Sequence, residues 1–217
     1  MEVKNAIENR RSYRAFDARP IEKELVDEVL HRAGKAPSAL NVQPWEVTAV
    51  MGVELKRLTG RLLHAYRERS VACTPGARRP LPEHIQNRRR ESFRPLAKLL
   101  DQEGLTLDSF VGEGSCRFYG APAAIIICMD SAFSRDRYLC LGVFLGYLLL
   151  AAHDLGLATC PVGLISTYDE EIREQLNIPD TKEVVIGVAL GYEDKSSPLS
   201  HFSTPRESLE SYVRWFI

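Results

Sequence analysis

The chain contains no C-x-x-C pair, no G-x-G-x-x-G, no G-x-x-x-x-G-K-[ST] and no H-E-x-x-H. Its five cysteines, Cys73, Cys116, Cys128, Cys140 and Cys160, are odd in number and widely scattered. That spacing leaves no zinc knuckle or dithiol redox motif to read and points to reduced thiols in a cytoplasmic protein. Without a glycine-rich loop behind a strand, neither a dinucleotide-type nor a Walker-type phosphate site is legible. The histidines at 31, 64, 84, 153 and 201 never fall at metal-ligand spacing, so no metal is expected. A Ser–His–acid triad lacks its nucleophile elbow. Charge of one sign is missing too: 28 basic against 29 acidic residues leave a net charge of -1, no electrostatic case for nucleic acid or a membrane surface. The longest apolar run, Leu139 to Ala152, is broken by glycines and is shorter than the roughly 20 residues a membrane span needs. Met1 to Asn5 has neither the basic start nor the apolar run of a signal peptide.

What is present is an ordinary globular composition, 45% hydrophobic and 26% charged over 217 residues, enough for one domain with a sizeable core. Helical spacing of Val3 and Ile7 predicts a short first helix. Leu25, Val29, Leu30 and Ala33 predict a second over Glu22 to Gly34, bounded by Pro20 and Gly34. Trp45 to Met51 alternates and is rich in strand formers. Val53 to about Arg69 returns to a helical period. Cys73 to Pro82, with three prolines and a glycine, reads as a loop before a charged helix over Glu83 to Glu103. Residues 104 to 117 are Gly-rich and ambiguous. Pro122 to Met129 and Val184 to Leu190 read as buried strands. Asp136 to Leu155 is a helix apolar around most of its circumference, buried on several sides or at a subunit interface. Ala158 to Val162 is extended, and Tyr168 to Leu176 is a further helix. The chain ends on Tyr212, Val213, Trp215 and Phe216, aromatics that need a surface to cover them. Strands separated by helices make this an α+β or α/β protein.

Two stretches carry chemistry. Arg10-Arg11-Ser12-Tyr13-Arg14 places three guanidinium groups and a hydroxyl within five residues. Guanidinium forks match phosphate oxygens and stay charged at any working pH, although arginines at a helix end also serve simply to satisfy its last carbonyls. Ala36-Pro37-Ser38-Ala39-Leu40-Asn41-Val42-Gln43-Pro44-Trp45 mixes a turn former, small residues, two amides and an indole, suited to a shaped loop rather than a helix. The basic region from Arg67 to Arg94 reads on its own as a solvated face.

Taken in order, these pieces resemble the FMN-dependent nitroreductase family over nearly the whole chain. The resemblance lies in the R-R-S-x-R stretch, Pro37 to Trp45, Leu148 to Leu157, Thr159-Cys160-Pro161-Val162-Gly163, Leu176-Asn177-Ile178-Pro179, Ile186 to Tyr192 and Thr204-Pro205-Arg206. Phe118-Tyr119-Gly120-Ala121-Pro122 and the Thr-Pro-Arg tail are similar to the nitrobenzoate-type branch.

The resemblance implies an α+β, nitroreductase-like fold: a central, mainly antiparallel mixed sheet flanked by helices, in an intertwined homodimer. Residues 1–217 would form one domain, with about 64–117 as a substrate-side insertion or lid and 198–217 extending onto the partner subunit. It also implies FMN as cofactor and NADH or NADPH as reductant, with ping-pong hydride transfer to a small-molecule nitroaromatic or quinone-like acceptor. Arg10, Ser12 and Arg14, with Arg11 alongside, would meet the FMN phosphate and ribityl chain, and Arg206 would add a phosphate contact. Pro37, Ser38, Ala39 and Asn41 would come from the other subunit. Pro161, Val162 and Gly163 would offer backbone N–H groups to the flavin edge, the last two near N5, and no acid–base side chain would be obligatory. Where the family has a flavin-contacting glutamine, this chain has Gly146. Heterocycle oxidation, dehalogenation, flavin fragmentation and non-catalytic FMN binding remain alternatives on the same fold, though no dehalogenase lid signature is evident between residues 64 and 117.

Overall fold

The computed structural model describes residues 2–71, 77, 79–102 and 104–217. Its helices are α1 Val3–Asn9, α2 Lys23–Ala33, α3 Gly52–Glu68, α4 Glu83–Gln102, α5 Leu107–Cys116, α6 Tyr138–Asp154 and α7 Asp169–Leu176. The strands are β1 Glu46–Met51, β2 Ala123–Asp130, β3 Ala158–Val162 and β4 Lys182–Gly191. They form one sheet in the order β1-β2-β4-β3, and every ladder is antiparallel. The parallel component expected of a mixed sheet is confined, among the described residues, to a single bridge from Ser12 to Thr159.

Strand β2 explains the two-layer packing. Side chains alternate across a strand, so Ala123, Ile125, Ile127 and Met129 enter one core with Val26 and Val29 of α2 and Leu141, Phe144 and Leu148 of α6. Ala124, Ile126 and Cys128 enter the other, with Leu55, Leu58 and Leu62 of α3 and Ile172 of α7. A strand covered on both faces reads as a continuous apolar run rather than an alternating one, as the Ala-Ala-Ile-Ile-Ile-Cys-Met sequence does.

Helix α6 buries Cys140, Leu141, Phe144, Leu148, Ala151 and Ala152, while Leu139 and Tyr147 are 76% and 42% exposed. One side of this apolar helix thus faces out of the subunit. Helix α5 occupies the stretch whose composition was ambiguous. Thr106 caps it, its hydroxyl accepting from the Ser109 N–H at 3.1 Å. Its glycines serve packing: a Cβ at Gly112 would stand 2.4 Å from the Tyr66 hydroxyl, and one at Gly114 2.5 Å from the Tyr119 ring. The loop expected over 73–82 falls partly on residues 73–76 and 78, and the end of the expected α4 on residue 103, all outside the described residues.

Strand β4 ends against a rigid neighbour. A Cβ at Gly191 would lie 2.4 Å from Pro122 Cδ and 3.2 Å from the Phe16 ring. Because a proline ring cannot swing aside, Gly191→Ala is expected to lower stability by about 1–3 kcal/mol, read as a drop in the urea midpoint. An unchanged midpoint would contradict this packing.

Candidate active site

The arginine stretch is placed by the sheet. Arg10 closes α1, its N–H donating to Ala6 O at 3.0 Å. The chain then runs beside edge strand β3, where Ser12 bridges to Thr159 and the Tyr13 N–H donates to Thr159 O at 2.9 Å. Farther on, the Asp17 N–H donates to Tyr192 O at 2.9 Å. Strand β3 continues into Pro161, Val162 and Gly163, so one strand positions two of the three stretches singled out above.

Arg10, Arg11, Ser12 and Arg14 line a cavity of about 500 Å³ together with Phe202 and Arg206 from the far end of the chain. Burial, and then the nearby positive charge of Arg206, hold the Arg10 pKa below its ordinary value. Arg206 is held to its own segment, Nη1 donating to Thr204 Oγ1 at 2.8 Å and to Thr204 O at 2.9 Å. Glu8 also lines the cavity and has no ion pair among the described residues. Two like charges gathered in a partly enclosed cavity are stabilised by an anion between them. Arg11 is divided: Nη2 donates to Glu193 Oε1 at 3.0 Å, and its guanidinium lies 4.9 Å from the Tyr13 ring centre.

Arg14 joins two cavities. Its guanidinium sits between the rings of Tyr119 and Phe202, 6.0 and 5.8 Å from their centres. Its buried Nε has no hydrogen-bond partner, an arrangement that costs free energy unless a ligand completes it. On its other side Arg14 helps line a cavity of about 310 Å³ floored by Pro161, Val162, Gly163 and Leu164, with Tyr119, Val111, Leu107, Phe93 and Arg89 around it. Tyr119 is held in a left-handed conformation, φ 52°, uncommon for a bulky residue and found where surrounding structure over-determines it. Burial pushes its phenol pKa up, so the hydroxyl stays neutral. A Cβ at Gly163 would meet nothing within 4 Å, leaving bare backbone at the cavity floor.

The 37–43 loop lies elsewhere. Pro37, Ser38, Ala39 and Asn41 line neither cavity. Ser38 Oγ accepts from the Gln43 N–H at 2.9 Å, and Gln43 Nε2 donates to Asn41 Oδ1 at 3.2 Å. Leu40, Asn41 and Gln43 all have positive φ, 54°, 55° and 44°, and Leu40 is 91% exposed. Trp45 pins the loop by stacking on Phe144 of α6, ring centres 4.9 Å apart. The loop is thus strained, anchored and turned outward.

At position 146 an added Cβ would meet nothing within 4 Å, so the helix has room there for the longer side chain it lacks. No group of three or more His, Cys, Asp or Glu among the described residues is arranged to hold a metal. Cys160 adjoins the cavity floor, but burial pushes its thiol pKa up to about 11, and burial takes Cys116 to about 12. Thiolates are the reactive form, so a disulfide reagent at pH 8 is expected to leave both unmodified until the protein unfolds. Rapid native-state labelling of Cys160 would contradict that.

Sequence reasoning missed the aromatic pair around Arg14. Phe202 stands four residues before Arg206, but nothing local in the sequence says that either returns to the start of the chain.

Residues 7–192 match the model of the nitroreductase family. The chain belongs to that family. It is 34% identical to a chloronitrobenzene nitroreductase of Comamonas testosteroni, over 97% of this chain and 95% of that protein. It is 30% identical to a 4-nitrobenzoate reductase of Pseudomonas putida, over 96% and 93%. Among solved structures, the FMN-dependent nitroreductase NfnB from Mycobacterium smegmatis in complex with NADPH superposes with a TM-score of 0.86. It shares 28% identity, covering 99% of this chain and 97% of that one. As a nitroreductase-family protein the chain is an α+β oxidoreductase, and no described helix is long and apolar enough to cross a membrane.

Proposed function

We propose that this chain is an FMN-dependent nitroreductase that uses NADH or NADPH to reduce nitroaromatic or quinone-like acceptors, and that it works as a homodimer in the cytoplasm. The observation that carries the reading is the arginine cavity joined through Arg14 to the bare floor at Gly163, in a member of this family. Arg10 and Arg206 would hold the phosphate, which would relieve their mutual repulsion. Ser12 and the unpartnered Nε of Arg14, with Arg11 alongside, would hold the ribityl chain. Pro161, Val162 and Gly163 would offer backbone to the flavin edge, with open space at the Gly163 Cα. Bound there, FMN supplies the electron transfer between nicotinamide and acceptor. The protein's own residues hold phosphate charge, fix the ring edge with backbone amides and shape the cavity above it. None is required to donate or accept a proton.

What one subunit leaves uncovered supports a dimer. Leu40, Leu139, Tyr147, Trp215 and Phe216 are exposed, an apolar surface that marks association. In this reading Pro37, Ser38, Ala39 and Asn41 line the partner's flavin, and 198–217 continues onto the partner. Residues 1–217 act as one domain, with about 64–117 covering the substrate side. Four buried free cysteines, Cys116, Cys128, Cys140 and Cys160, suit a reducing compartment.

The absorbance spectrum of purified protein tests the cofactor. Visible flavin bands, with FMN released on denaturation, are the expected result; protein that neither carries flavin nor takes up added FMN would refute the reading.

A further inference from the structure

Helix α4 carries four arginines, and three of them are satisfied. Arg88 Nε lies 2.6 Å from Glu207 Oε1, Arg90 donates to Asn87 Oδ1 at 2.9 Å, and Arg94 Nη1 lies 3.1 Å from Glu91 Oε2. Arg89 has no hydrogen-bond or ion-pair partner among the described residues. It is also the one of the four that lines the cavity over Pro161–Gly163. From there it faces a second groove of about 520 Å³ that Arg90 and Arg94 also line, so the mouth of the cavity is positively charged on this side.

The remaining walls suit a flat ring. Phe93, Leu107 and Val111 are apolar, and a volume of about 310 Å³ is at the small end of the roughly 300–1,000 Å³ of ligand pockets. One substituted aromatic ring fits such a space. Asp108 is the single carboxylate in the lining. It sits in the first turn of α5, where a negative charge favours the helix, and it forms no ion pair with Arg89. A small cavity that has apolar walls, the backbone at Gly163 and an unpaired guanidinium in one lining suits a ring that carries an anionic substituent as well as its reducible group.

We infer that Arg89 is a specificity-determining residue that selects acceptors bearing a carboxylate or similar anionic substituent on the ring over neutral ones. The inference rests on the nitroreductase reading above and names its substrate class. The named substrates of the relatives, chloronitrobenzene and 4-nitrobenzoate, include both a neutral and an anionic ring, so family membership alone leaves this choice open.

The test compares 4-nitrobenzoate with its neutral counterpart 4-nitrobenzamide in flavin-loaded protein. Wild type is expected to favour the carboxylate in kcat/KM. Arg89→Ala should lower the carboxylate-to-amide ratio about tenfold or more, the size of a lost hydrogen bond to a charged group. Arg89→Lys should retain part of the ratio, and Arg89→Glu should reverse it. An unchanged ratio accompanied by a higher KM for NADPH would overturn the inference and assign Arg89 to the nucleotide phosphates. Calorimetric titration with benzoate and benzamide reads the same preference without turnover. If neither nitro compound is reduced, the nitroreductase reading fails, and the titration decides for Arg89. Benzoate preferred by wild type and not by Arg89→Ala supports the inference; benzoate bound no tighter than benzamide by wild type overturns it.

Discussion

Replacing Arg10 and Arg206 together with alanine is expected to yield folded protein that no longer retains FMN. Both guanidinium groups line the arginine cavity, and Arg206 helps hold the Arg10 pKa down. A hydrogen bond to a charged group contributes roughly 1.5–3 kcal/mol, so losing both should weaken FMN binding at least about 100-fold, near 2.7 kcal/mol. Riboflavin, which has no phosphate, should bind wild type and the double variant alike. The flavin-free protein gives a second, opposite sign. Removing both members of a repelling pair of like charges relieves strain, so the empty variant should melt no lower than the empty wild type. Loss of stability without loss of FMN affinity would mean that these arginines only finish the end of α1. Fluorescence titration with FMN and riboflavin, with melting curves of the stripped proteins, separates the two.

Deleting residues 209–217 should dissociate the dimer. Leu209, Tyr212, Trp215 and Phe216 are 49%, 69%, 73% and 92% exposed in the subunit, so their removal takes little from the subunit's own core. In the proposed dimer they are buried against the partner. At about 1.5–3 kcal/mol for each fully buried large apolar side chain, losing several weakens association by orders of magnitude. Sedimentation should show a monomer, and FMN should be lost with it, because in the proposed dimer Pro37 to Asn41 line the partner's flavin. A truncated protein that remains a dimer would place the subunit contact elsewhere. One that becomes a monomer yet holds FMN tightly would show the cofactor seat complete within a single chain.

Local chemistry made most of the fold legible. The Pro122 to Met129 run announced a buried strand, which the structure places at Ala123–Asp130, and the helical period from Val53 to about Arg69 announced α3. Gly34 and Asn177 marked helix ends where the structure has them, Asn177 in a left-handed cap at φ 52°. Helix α5 was obscured because the reason for its glycines is distant: the rings of Tyr66 and Tyr119 press on positions 112 and 114. Local propensity counts those glycines against a helix, whereas packing requires them. The Thr106 cap was a usable local signal for its start. Within the candidate site, the arginine stretch stood out as a charged cluster, whereas a role for 161–163 came only from the family resemblance. Their joining was not legible, because it depends on Ser12 pairing with Thr159 and on Phe202 returning to Arg14. The pairing of Arg11 with Glu193, and the lack of a partner for Arg89 among the described residues, likewise depend on side chains far apart in the chain.

In the proposed reaction, electrons pass from a reduced nicotinamide through FMN to a nitroaromatic acceptor. The most direct measurement is NAD(P)H consumption by FMN-loaded protein in the absence of oxygen, with and without a nitroaromatic. Sustained oxidation of NADH or NADPH in proportion to nitro compound reduced is expected, and none beyond the bound flavin's own capacity when the acceptor is omitted. Flavin-loaded protein that consumes neither nucleotide, or consumes it at a rate the nitro compound does not change, would refute the proposed electron path.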